Sequence, residues 1–116
     1  MRTGSGPKAV LMKRFEIWLA RLDPSEGSEM RKTRPVLIVS PEVMNVRLRT
    51  VISAPLTAGG FTAPFRVPCR FAGVSGQVAL DHLRAVDKAR LVRRLGELDQ
   101  VTAKLVLEVL GEMFAE

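Results

Sequence analysis

Residues 15–40 read FEIWLARLDPSEGSEMRKTRPVLIVS. Phe15, Ile17 and Leu19 alternate with Glu16, Trp18 and Ala20, a period of two that predicts a strand with one buried face and Trp18 on the other. Val36-Leu37-Ile38-Val39 is a continuous apolar run and predicts a central strand buried on both faces. Asp23-Pro24 ends the first strand, and residues 25–34 carry no apolar periodicity, so the connection is long enough to point to function. Pro35 disfavours the helical region for Arg34 and presents its guanidinium at the mouth of the second strand. A cation aimed in this way, beside Glu29, Arg31 and Lys32, suits a phosphate-bearing ligand, because guanidinium binds phosphate oxygens in a planar, bidentate manner. The alternative is a solvated turn in which Glu29 pairs with Arg31 or Lys32.

The 116-residue chain fits one domain and can bury a core without staples. Hydrophobic residues at 47% and charged residues at 26% describe a globular balance. The single cysteine, Cys69, excludes an internal disulfide, and one Cys with one His (His82) cannot complete a tetrahedral zinc site within one chain. A cytoplasmic protein without metal or other cofactor is the expectation. The formal charge of +6 favours polyanions, nucleic acid foremost. No apolar stretch approaches the roughly 20 residues that span a bilayer, so no membrane partner is expected. Residues 1–12 read as a disordered leader, and 13–116 as the single domain.

Ser40-Pro41 reads as the cap and first position of one helical turn, Glu42 to Asn45. A strand follows from Leu48 to Leu56; Pro55 removes a ladder donor, so that strand must end, bulge or lie at an edge there, placing Thr57 at its terminus. Ala58-Gly59-Gly60 is a flexible loop. Phe65, Val67, Cys69 and Phe71 alternate with Arg66, Pro68 and Arg70, a one-sided strand that Pro68 assigns to an edge. Gly73 and Gly76 read as flanking a turn, followed by two short strands or one bent one over residues 77–80 and 82–86. Asp87 caps a turn, Val92 to Leu98 reads as a last strand, and Asp99 caps a helix to about Phe114 with Val106, Val109, Leu110, Met113 and Phe114 as its core stripe. Short strands closed by one amphipathic helix predict a mainly β fold with α: a small curled antiparallel sheet or partly open barrel with a C-terminal helix.

Trp18, Asp23-Pro24, Gly27-Ser28-Glu29, Arg34-Pro35 and Ala54-Pro55-Leu56-Thr57, with Leu80-Asp81, Val86-Asp87 and Arg90-Leu91 downstream, resemble the MazF/PemK family of toxin endoribonucleases. The likeness runs from about Lys13 to the C-terminus. It implies a homodimer on an SH3-like barrel related to CcdB toxins, cutting single-stranded RNA, mRNA included, at short sequences without a metal and leaving a 2′,3′-cyclic phosphate and a 5′-hydroxyl. It also implies control by a cognate antitoxin, and growth arrest when that control fails. By position, Arg34 and Thr57 match the family's catalytic arginine and threonine, and Glu29 an acidic residue of the same loop. The implied RNA-binding set is Ser28, Arg31, Lys32, Gly59, Gly60, Phe61 and His82. The sequence departs at His82, where the family commonly carries Gln.

The chemistry can be read without the family. Metal-free RNA cleavage uses the neighbouring 2′-hydroxyl as nucleophile, so the protein must chiefly stabilise charge on the phosphate oxygens. Arg34 offers up to five donors and Thr57 one. A two-histidine acid–base pair is excluded within one chain, because His82 is the only histidine. Arg34 is therefore read as an electrostatic stabiliser, with Glu29 as a base or as the partner that orients it. For Thr57 the alternative is a hydroxyl bonded to local backbone. With no Tyr and one Trp, base stacking falls to Trp18 or Phe61, and Trp18 serves equally as a core or dimer residue. Arg90, Arg93 and Arg94 either extend a basic funnel or face solvent. The competing class is a non-catalytic module on the same frame: a topoisomerase poison, an RNA-binding barrel, or a regulator acting only through a partner chain.

Overall fold

The computed structural model describes residues 11–21 and 33–116. Seven strands form one curled antiparallel sheet in the order β4-β5-β3-β2-β1-β7, with β6 paired to β3 off that path. The strands are β1 (Glu16–Arg21), β2 (Thr33–Ile38), β3 (Thr50–Thr57), β4 (Arg66–Phe71), β5 (Val74–Ala79), β6 (Arg84–Asp87) and β7 (Leu91–Glu97). A short helix, α1 (Glu42–Arg47), leads into β3, and a longer one, α2 (Gln100–Met113), closes the chain.

The continuous apolar run produces the central strand expected of it, since β2 lies between β1 and β3 with Val36, Leu37 and Ile38 fully buried. Its neighbour departs from expectation. β1 is buried on both faces, with Glu16, Ile17, Trp18 and Ala20 all inside. The register explains why: Ile17 stands opposite Leu37 and Trp18 opposite Val36, so alternate residues feed opposite sides of the sheet. Ile17 and Leu37 join the core under α2, with Val67, Val78, Leu80, Ala103 and Val106. Trp18, Ala20, Val36 and Ile38 join a second core on the other side, with Val51, Val86 and Leu91. Met12, assigned by the sequence reading to the leader, packs in this second core. The curl of the sheet covers the face that a flat ribbon would leave wet. Glu16 tolerates burial because its Oε1 accepts from Trp18 Nε1 at 2.9 Å and from the Lys13 amide at 3.1 Å, while Oε2 accepts from Arg94 Nε at 3.1 Å.

Pro55 does not end its strand. β3 continues to Thr57, with Pro55 opposite Val36 of β2. On its other edge β3 pairs with β6 as far as Ser53 opposite Arg84, then with β5 from Leu56 opposite Val78. The residue without an amide proton thus sits where that edge changes partner and no ladder bond is required of it. Pro68 lies in β4, the terminal strand of the path, as expected of an edge.

Other details correct the sequence reading. Pro41, not Ser40, occupies the N-cap of α1; Ser40 Oγ instead donates to Asn45 Oδ1 and accepts from the Ile52 amide. The β4–β5 turn is Ala72-Gly73, both at positive φ (54° and 78°), a type I′ hairpin, and Gly76 lies within β5 opposite Cys69. His82 ends a 3-10 turn, Leu80–His82, rather than starting a strand. The α2 stripe leaves the core towards its C-terminal end, where Met113 is 37% and Phe114 73% exposed. Asp87 and Asp99 do cap as expected, accepting from the amides of Ala89 and Thr102.

The two hydrogen bonds that Asp99 accepts from Thr102, amide and then hydroxyl, hold its carboxyl below the ordinary value of 3.8. A carboxylate depressed by folding stabilises the native state above its unfolded pKa and loses that contribution as pH falls through the lower folded value. Asp99→Asn keeps a capping acceptor without the titration. Its urea midpoint is expected to fall less steeply than the wild type's between pH about 4 and 2. Superimposable acid profiles for the two proteins would remove this role for the cap.

Candidate active site

Arg34 and Thr57 come together. The β2–β3 register runs through Val36 opposite Pro55, and two more steps in the same sense set Arg34 opposite Thr57 at the open end of the strand pair. Both line one cavity of about 420 Å³. Its walls are apolar, drawn from Pro35, Leu56, Cys69, Phe71 and Val74. Burial pushes the Cys69 thiol up, with Asp99 adding to the effect, so at neutral pH it is a neutral part of the wall rather than a nucleophile. A single guanidinium and a hydroxyl at the rim of a low-dielectric wall form a site for an anion, because the wall strengthens every charge-assisted bond made against it.

The Thr57 hydroxyl donates to the Gly59 carbonyl at 3.2 Å, so the local backbone bond named as the alternative reading is present in this state. A hydroxyl can rotate and exchange that acceptor for another. The strand end itself is fixed by a neighbour that the sequence reading assigned to a turn. A Cβ at Gly76 would stand 2.4 Å from the Thr57 carbonyl oxygen, so only glycine admits the close approach of β5 to β3. The signal was present as an isolated glycine in an alternating segment.

The remaining predicted residues divide into two sets. Ser28, Glu29, Arg31 and Lys32 lie outside the described residues. Gly59, Gly60, Phe61 and His82 belong to a second cluster beside the cavity. Gln77, opposite Thr57, donates from Nε2 to the Phe61 carbonyl at 3.1 Å. Arg66 lies over the Phe61 ring, 4.5 Å from its centroid, and is held by Asp81 at 2.6 and 2.9 Å. That pairing, above all its hydrogen bonds, holds the Asp81 carboxyl low and the Arg66 guanidinium high. His82, 62% exposed at its side chain, places Nε2 3.5 Å from Asp81 Oδ2 and does not line the cavity.

Of the two stacking candidates, Trp18 is a core residue at 7% exposure, while Phe61 is 55% exposed. Of the second basic group, Arg94 is committed to Glu16 and Glu97, and Arg90 donates to the Arg21 carbonyl. Among the described residues no group of three His, Cys, Asp or Glu side chains is arranged to hold a metal ion, and no helix is long and apolar enough to cross a membrane.

The chain and its fold have counterparts among known proteins. The family model described as PemK-like, MazF-like toxin of type II toxin-antitoxin system matches residues 13–114. Endoribonuclease PemK of Escherichia coli is 42% identical over 108 residues, covering 88% of this chain and 79% of that protein. Endoribonuclease EndoA of Bacillus subtilis is 28% identical, covering 87% of this chain and 92% of its own. Among solved structures, a MazE-MazF crystal structure (Form-II) from Deinococcus radiodurans superposes with a TM-score of 0.78 at 27% identity, covering 90% of this chain and 96% of that one.

Gly76→Ala tests the close approach. The added methyl meets backbone rather than a yielding side chain, so the β3–β5 pairing must open. A loss of about 1–3 kcal/mol in denaturant unfolding is expected, the range for forced overpacking. Wild-type stability in this variant would contradict the geometry.

Proposed function

Since the chain belongs to the PemK-like, MazF-like toxin family of type II toxin–antitoxin systems, we propose that it cuts single-stranded RNA at a short sequence without a metal ion, with Arg34 and Thr57 at the reacting phosphate. The protein is an endoribonuclease toxin, as its named relatives are. The observation that carries the finer reading is the shared cavity: one cation and one hydroxyl, from adjacent strand ends, face the same 420 Å³ of space.

The chemistry follows from those two groups. The 2′-hydroxyl oxygen attacks the adjacent phosphorus as its proton passes to Glu29 or to solvent; the P–O5′ bond breaks and O5′ takes up a proton from solvent, leaving a 2′,3′-cyclic phosphate and a 5′-hydroxyl. Negative charge gathers on the non-bridging oxygens as the phosphorane forms. Arg34 supplies charge-assisted donors to those oxygens, and Thr57 turns its proton from the Gly59 carbonyl to add another. Glu29 serves as base towards the 2′-hydroxyl or as the group that orients Arg34. Ser28, Arg31, Lys32, the Gly59-Gly60-Phe61 loop and His82 bind the strand on either side. The apolar wall lowers the dielectric on one side of the phosphate, which strengthens the donors.

The cations proposed to hold the RNA also attract an acidic, extended peptide, so a cognate antitoxin occupies the site in competition with RNA. The active form is a cytoplasmic homodimer. Family resemblance to toxins solved with an antitoxin, such as the Deinococcus radiodurans MazE-MazF complex, supports the partner assignment.

Purified protein incubated with a long RNA in excess EDTA is expected to give discrete fragments ending in cyclic phosphate. Arg34→Ala and Thr57→Ala should each lower kcat by about 100-fold or more, the usual cost of one preorganised donor, while antitoxin binding survives. A requirement for divalent metal, or Arg34→Ala cleaving at the wild-type rate, would sink the mechanism.

A further inference from the structure

We propose that Arg66, Gln77 and Asp81 are positioning residues that hold Phe61 as a rigid stacking platform for the nucleobase next to the scissile phosphate. The inference rests on the ribonuclease reading of Arg34 and Thr57 and names what receives the RNA as it leaves their cavity.

Phe61 follows Gly59-Gly60, a pair that on its own would leave the ring unordered and make RNA binding bear the loss of its freedom. The surroundings remove that freedom in advance. Arg66 covers one face of the ring at 4.5 Å from its centroid, and Phe65 meets it edge-on at 6.2 Å. Arg66 is itself immobilised: its side chain is only 10% exposed, and Asp81 takes Nε and Nη2 in a two-point clasp at 2.6 and 2.9 Å. The Phe61 backbone is fixed by the bond from Gln77 Nε2 to its carbonyl, at 3.1 Å. Gly60, at φ +124°, holds a backbone conformation that other residues rarely adopt, and a Cβ there would stand 3.4 Å from Gln77 Oε1 and 3.5 Å from Arg66 Nη1.

With Arg66 over the ring and Phe65 packed in a T against it, Phe61 still keeps 55% of its surface exposed. An aromatic needed only for packing would be turned inward. An exposed ring backed by a guanidinium is what a nucleobase stacks on, since every base offers a π-face and stacking tolerates sequence. Placement is right for the base beside the cleaved bond. Gln77 stands directly opposite Thr57 in the β3–β5 register, and Phe61 is separated from Thr57 by no more than about 14 Å of extended chain. Gln77 thus ties the platform to the strand end that carries the hydroxyl.

The test uses an oligoribonucleotide built on the mapped cleavage site, with a 2′-deoxyribose at the scissile position so that it binds uncut and 2-aminopurine on either side of it. Wild-type protein should quench one of the two flanking positions. Phe61→Leu should lose that quench and raise KM on the cleavable RNA about tenfold, the lower part of the range for one stacked base, with kcat little changed. Phe61→Tyr should restore both. Asp81→Asn and Gln77→Leu, which leave the ring in place, should weaken the quench and raise KM by a smaller factor, again with kcat retained. Unchanged quench and KM in Phe61→Leu, while Arg34→Ala abolishes cleavage, would overturn the platform and leave the ribonuclease standing. Asp81→Asn and Gln77→Leu both matching wild type would overturn the positioning roles. A wild-type protein that cuts no RNA would overturn both readings.

Discussion

β3 shares its backbone with three other strands: β2 along one edge, and β6 then β5 along the other. That division forces the sheet to curl. A strand paired along one edge to two partners in succession must let them diverge, and the right-handed twist of each pair carries them apart. Pro55 sits at the change-over, where its missing amide proton costs nothing. The curl encloses the second face of β1 and β2, which is why Trp18 and a carboxylate, Glu16, can both be buried there. It also leaves the far ends of β2 and β3 projecting as a pair, and those ends carry Arg34 and Thr57. Core and cavity are two consequences of one partner switch.

How much of this was legible in the sequence depended on whether the cause was local. The two-sided burial of Val36 to Ile38, the caps at Asp87 and Asp99 and the edge status of Pro68 are written in short-range chemistry, and they were read correctly. Glu16 misled because a charged residue in an alternating run signals a wet face, and its three partners come from Lys13, Trp18 and the distant Arg94. Ser40 misled because a hydroxyl before a proline favours capping, whereas here it bridges α1 and β3. The Phe114 stripe kept its helical spacing after the helix had passed the edge of the sheet.

The candidate site follows the same division. Arg34-Pro35 and the Pro-x-Thr ending in Thr57 announce themselves as tripeptides with fixed backbone consequences. Gly76, Gln77 and the Arg66–Asp81 pair do not, because their roles exist only once β5 is laid against β3 and β4. Charge counting also cannot say where the cations stand: Arg66 and Arg94 are held by carboxylates, so fewer arginines are free to meet a polyanion than their number suggests.

The hydroxyl of Thr57 has a further consequence through its present partner. Its proton is engaged with the Gly59 carbonyl, two residues along the loop that carries Phe61. In the proposed mechanism a phosphate oxygen accepts that hydrogen bond instead, so Gly59 loses its anchor and the loop is left to the hold that Gln77 keeps on the Phe61 carbonyl. Filling the phosphate position therefore releases the near end of the loop while its far end stays fixed. The glycines give Ala58 through Gly60 room to move: a Cβ at Gly59 would meet nothing within 4 Å, and Gly60 already occupies positive φ. On the proposed reading the glycines lie where backbone freedom is needed, between a hydroxyl that changes partners and a ring that stays in place.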